Sequence, residues 1–83
     1  SMKSSFGSKE LEKCLIRLGF MFQKRVGSSH LKYKLTGKKI PAGTRPFIIV
    51  IEGRKIYDPH TASSYVRQIK NLGFTEEEIL KNL

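Results

Sequence analysis

Phe20-Met21-Phe22-Gln23-Lys24-Arg25-Val26-Gly27-Ser28-Ser29-His30-Leu31-Lys32-Tyr33-Lys34-Leu35 is the stretch whose reading decides the fold. Its second half alternates without a break. Leu31, Tyr33 and Leu35 fall on one side, and His30, Lys32 and Lys34 on the other. That period of two belongs to a strand buried on one face and wet on the other. Phe20–Arg25 reads as a partner strand, and Val26-Gly27-Ser28-Ser29 as the turn between them, with Gly27 as its positive-φ residue. Two strands joined this closely pair antiparallel, and their apolar side needs cover from elsewhere in the chain.

The flanking segments offer that cover. Leu11, Cys14, Leu15 and Leu18 recur at helical spacing over residues 8–18. Ser8 is placed to cap this helix, and Gly19 to supply the left-handed residue past its end. On the other side, Thr36–Pro46 reads as a loop. Phe47–Glu52 follows as a third strand, apolar throughout and so expected to be central, and Lys55-Ile56-Tyr57 as a short fourth. Pro59 ends that strand, and Thr61 or Ser63 opens a second helix with Tyr65, Val66, Ile69 and Leu72 on its apolar side. Thr75-Glu76-Glu77-Glu78 forms a capping box for a last short helix. The expected fold is α+β: an antiparallel sheet of three or four strands with helices packed on one face. The double-stranded-RNA-binding domain has this architecture. The expected core comprises Leu11, Leu15, Leu18, Phe47, Ile49, Ile51, Val66, Ile69 and Leu72.

Eighty-three residues suffice for one hydrophobic core, and we read 1–83 as a single domain. Residues 1–7 are expected to be a flexible lead-in, with Ser1 left by cleavage of an expression tag. The longest apolar run, Phe47–Ile51, is far short of the roughly 20 residues that cross a bilayer. The N-terminal residues have no apolar stretch of the signal-peptide kind, and the expected location is the cytoplasm. The lone cysteine, Cys14, lies on the apolar helical stripe and reads as a small buried hydrophobe.

Net charge is +9, and its placement is uneven. Residues 24–55 hold nine lysines and arginines against one acid, Glu52, while residues 56–83 are close to neutral. Positive charge concentrated in this way is the footprint of phosphate binding, with Lys24, Arg25, Lys32 and Lys34 as the first candidates. An acidic protein partner fits the same charge.

The chain has no glycine loop of the GxxxxGK type, no carboxylate pair near a histidine and no cysteine with an adjacent base. His30, His60 and Cys14 are scattered, without metal-ligand spacing, so no metal and no cofactor is expected. Ser29 and His30 are neighbours on an extended chain and face opposite sides, which argues against a nucleophilic pair. His30 remains, beside Lys32 and Lys34 on the polar face. Read from these residues alone, it is either a solvated surface histidine or a general acid or base acting on RNA.

Ser29-His30-Leu31-Lys32-Tyr33, after a glycine-serine turn and a Leu-Gly-Phe helix exit, resembles the signature of HicA-type mRNA interferase toxins. The resemblance continues through Asp58-Pro59-His60, the second helix and Gly73-Phe74-Thr75-Glu76-Glu77-Glu78, and so covers most of the chain. It implies a metal-independent endoribonuclease on a double-stranded-RNA-binding-like fold, acting on mRNA and neutralised by a HicB-like antitoxin. In it His30 matches the catalytic histidine, with Gly27, Ser28 and Ser29 forming its turn at the RNA. Ser28 stands where the family usually has glycine, and the Thr36–Pro46 loop is longer than usual. His60 reads as a capping or loop-packing residue. Two other functions fit the same residues: a non-catalytic RNA- or DNA-binding module, and a basic protein-interaction domain.

Overall fold

The computed structural model describes residues 5–37 and 40–83. Lys38 and Lys39 of the expected loop, and the first four residues of the expected lead-in, lie outside them. The elements run α1 (Ser8–Arg17), β1 (Phe20–Arg25), β2 (His30–Leu35), β3 (Phe47–Ile51), α2 (Pro59–Lys70) and α3 (Glu76–Asn82). Among the described residues the fold is α+β, with one three-stranded antiparallel sheet in the order β1-β2-β3.

β2 holds the centre, and β3, expected there, is an edge strand. The alternation of β2 is as expected, with Leu31, Tyr33 and Leu35 buried. β3 differs from expectation in parity. Ile48 and Val50 enter the core, while Phe47, Ile49 and Ile51 fall on the other parity, half-buried, with Ile51 still packed against the margin of the core. The register is the cause: Val50 lies opposite Leu31 and Ile48 opposite Tyr33, and antiparallel partners share a face. Among the other expected core residues, Leu11, Leu15, Ile69 and Leu72 are fully buried, and Leu18 and Val66 pack at its margin. Cys14 is buried, its thiol donating to the Ile79 carbonyl at 3.5 Å, and burial pushes its pKa up to about 11.

Lys55–Tyr57 forms no fourth strand, because its hydrogen bonds go to the start of the chain. Tyr57 N–H donates to the Phe6 carbonyl at 2.8 Å, and Ser8 N–H to the Arg54 carbonyl at 2.8 Å. Phe6 is 2% exposed and meets the Tyr57 ring edge-on, so Phe6 and Gly7 are anchored and do not belong to a loose lead-in. Gly7, and not Ser8, caps α1; a Cβ there would run into the carbonyl oxygens of Lys55 and Arg54. Glu10 accepts the Gly7 N–H at 3.0 Å, and the Ser8 hydroxyl is spent on Arg54.

α2 starts earlier than expected. Asp58 is its cap, accepting the Thr61 N–H at 3.0 Å and the Thr61 hydroxyl at 2.7 Å, and Pro59 occupies the first turn, where its missing N–H costs nothing. Those bonds, the hydroxyl's first, hold the Asp58 carboxyl below the usual carboxylate range. α3 has the expected box: Glu78 N–H donates to the Thr75 hydroxyl at 3.1 Å, and Thr75 N–H to the Glu78 carboxylate at 2.9 Å. No helix of the described residues is long and apolar enough to cross a membrane.

Candidate functional site

The sheet face away from the core carries the polar row of β2. His30 lies opposite Ile51, Lys32 opposite Ile49 and Lys34 opposite Phe47, so the imidazole and two ammonium groups stand beside an apolar strip. The Lys32 ammonium sits 4.2 Å above the centre of the Phe47 ring, a cation–π contact that holds the charge over the face. β1 adds Met21, opposite Lys34, and Lys24, opposite Lys32. Simple alternation from buried Phe20 sends Lys24 to the core side. A bulge between Phe22 and Lys24 resets the register and turns Lys24 to the open face. Aligned cations over apolar surface suit a nucleic-acid strand, whose phosphates meet the charges while bases rest on the carbon.

The Gly-Ser-Ser turn is held from three sides. Val26 N–H donates to the His30 carbonyl at 2.9 Å, and Glu52 N–H to the Ser29 carbonyl at 3.0 Å. The Arg25 guanidinium donates to the Ser28 carbonyl at 3.0 Å and to the Glu52 carboxylate. Gly27 has φ of 141°, which few residues with a side chain adopt. Arg25, expected at the phosphates, therefore clamps the turn, and its charge is paired with that of Glu52. Gly27, Ser28 and Ser29 are exposed beside His30.

β3 and α2 enclose a cleft of about 350 Å³ lined by His30, Ile49 and Ile51 of the sheet and by His60, Thr61, Ser64, Tyr65 and Gln68. Its walls are locked by tyrosines. The Tyr65 hydroxyl donates to the Ile49 carbonyl at 2.7 Å and accepts the Ile51 N–H at 2.9 Å, closing the outer edge of β3. The Tyr57 hydroxyl donates to the Ile51 carbonyl at 2.6 Å, and the two rings pack 5.1 Å apart. Tyr65→Phe leaves two edge groups of β3 without this partner. It is expected to destabilise the fold by about 1–3 kcal/mol and to loosen the cleft, read by denaturant unfolding and by amide exchange at Ile51.

A second hollow, of about 430 Å³, shares Ile49 and Gln68 with this cleft and runs on to Gly43, Thr44 and Arg45. The groove along β3 and α2 thus has an imidazole at one end and a guanidinium at the other. A larger hollow, of about 610 Å³, lies between the first turn of α1 and Gly53–Lys55. Its Glu10, Ser8 and Glu52 are already engaged with Gly7, Arg54 and Arg25, which makes it the poorer site.

His60, expected to cap or to pack a loop, does neither. Asp58 does the capping, and His60 is exposed at the cleft. Thirty residues separate it from His30 in the chain, so spacing carried no signal; the signal was Asp58-Pro59, a helix start that sets His60 in the first turn. Arg45 was likewise outside the expected site. Among the described residues, no three His, Cys, Asp or Glu side chains are grouped to hold a metal. Comparison with known proteins gives no matching family model, no matching curated protein and no matching solved structure.

Proposed function

We propose that this protein is a metal-independent endoribonuclease of the HicA mRNA interferase type, acting on mRNA in the cytoplasm and held in check by a HicB-like antitoxin. The observation that carries the reading is the position of His30. It stands on an open, basic sheet face, at the end of a clamped Gly-Ser-Ser turn, and at the mouth of a cleft. The order helix, three strands, helix, followed by a last helix, supports reading the fold as double-stranded-RNA-binding-like. In this reading Lys24, Lys32 and Lys34 hold phosphate oxygens. His30 exchanges the proton that lets a 2′-oxygen attack the adjacent phosphorus. The products are a 2′,3′-cyclic phosphate and a 5′-hydroxyl. Incubation of the purified protein with RNA in EDTA, followed by analysis of the new termini, tests the reading. Intact RNA under all conditions would leave a binding module.

Binding has its own test. If Lys24, Lys32, Lys34 and Arg45 each meet one phosphate of a single strand, log K falls with log salt at a slope of about −3. Lys32→Glu with Lys34→Glu should bring the slope to about −1.5 and leave the melting temperature nearly unchanged. A flat salt response in the wild-type protein removes the electrostatic case.

A further inference from the structure

RNA cleavage through the 2′-oxygen moves two protons, and the proposed function names a group for only one. The 2′-hydroxyl must lose its proton, and the departing 5′-oxygen must gain one. The remaining polar groups of the cleft are mostly committed. The Thr61 hydroxyl donates to Asp58. The Ser64 hydroxyl accepts from the Gln68 amide at 3.1 Å. The Tyr65 hydroxyl is held between Ile49 and Ile51, and burial raises its pKa, which makes it a poor proton source. His60 is exposed on the α2 wall of the same cleft that His30 lines from the sheet. Imidazole is the side chain suited to give or take a proton near neutral pH.

We propose that His60 is the second acid–base group, working across the cleft from His30. The inference rests on the ribonuclease reading and adds a catalytic residue to it. The 2′-oxygen bonds to phosphorus as the P–O5′ bond breaks. One imidazole receives the 2′-hydroxyl proton, and the other gives its proton to the 5′-oxygen. The two histidines finish with exchanged protonation states and reset through solvent. The Tyr65 and Tyr57 bonds to β3 hold the histidine-bearing walls together. Because both imidazoles are exposed, removing either should leave the core untouched.

The test compares an RNA with the same RNA carrying sulfur in place of the leaving 5′-oxygen at the mapped cleavage site. Sulfur departs as a thiolate and needs no proton. The wild-type protein is assayed first, and if it cuts neither substrate, the ribonuclease reading itself fails, and this inference with it. Given cleavage, His60→Ala and His60→Gln should each lose about 10²-fold or more on ordinary RNA, with unchanged RNA retention and circular dichroism. On the sulfur substrate, either His30→Ala or His60→Ala should recover to within about tenfold of wild type, and that histidine is the acid. Two results overturn the pairing while leaving His30 in place. One is His60→Ala within about threefold of wild type on RNA. The other is recovery by neither variant, which marks His60 as a structural or binding residue.

Discussion

On the proposed ribonuclease reading, His30→Ala is expected to lower RNA cleavage by about 10²–10⁴-fold, the usual consequence of removing one acid–base group, and to leave a folded protein that still binds RNA. The argument combines three local facts. His30 is exposed, so truncation opens no cavity. Its carbonyl, not its ring, receives the Val26 N–H, so the turn survives the substitution. The charges on the face belong to Lys24, Lys32 and Lys34, so ground-state attraction to phosphate persists without the imidazole. Growth inhibition on expression should disappear together with cleavage. A His30→Ala protein that cuts RNA at the wild-type rate removes His30 from the chemistry. A variant that no longer retains RNA at low salt would show that His30 acts in binding.

The second large effect is on stability. Ile48→Ala should cost about 2–5 kcal/mol, while Ile49→Ala, one residue along, should cost about 1 kcal/mol. Ile48 is 1% exposed and packs in the cluster that joins the strands to the helices. Its truncation leaves a void that close-packed neighbours cannot fill. Ile49 is half-buried on the opposite face, at the wall of the cleft, where solvent can occupy the space. In a domain of this size each kcal/mol lowers the melting temperature by roughly 4–8 °C, so thermal scans separate the two variants without ambiguity. Equal losses, or the reverse order, would mean that β3 presents its other side to the core. Ile49→Ala is also the variant expected to weaken RNA contact.

Much of the frame was legible because it depends on local pattern. The alternation of His30–Leu35 can satisfy only a strand with one buried face, and Leu11, Cys14 and Leu15 can share a face only on a helix. The box at Thr75 and Glu78 closes within four residues and needs nothing from the rest of the chain. The same locality singled out His30 and its lysines, since adjacent outward positions of one strand stay adjacent in the fold.

Tertiary structure decided what local pattern leaves degenerate. An apolar run such as Phe47–Ile51 has no alternation, so only pairing with β2 selects Ile48 and Val50 for the core. That the same strand lies at an edge follows from Tyr65 and Tyr57, whose hydroxyls replace a further strand. The bulge that swings Lys24 to the open face, and the close approach that admits only glycine at residue 7, are meetings between distant segments. So is the cleft. His30 belongs to a strand and His60 to a helix start, and their joint presence depends on the docking of α2 along the rim of β3, a long-range packing event that no window of the chain encodes.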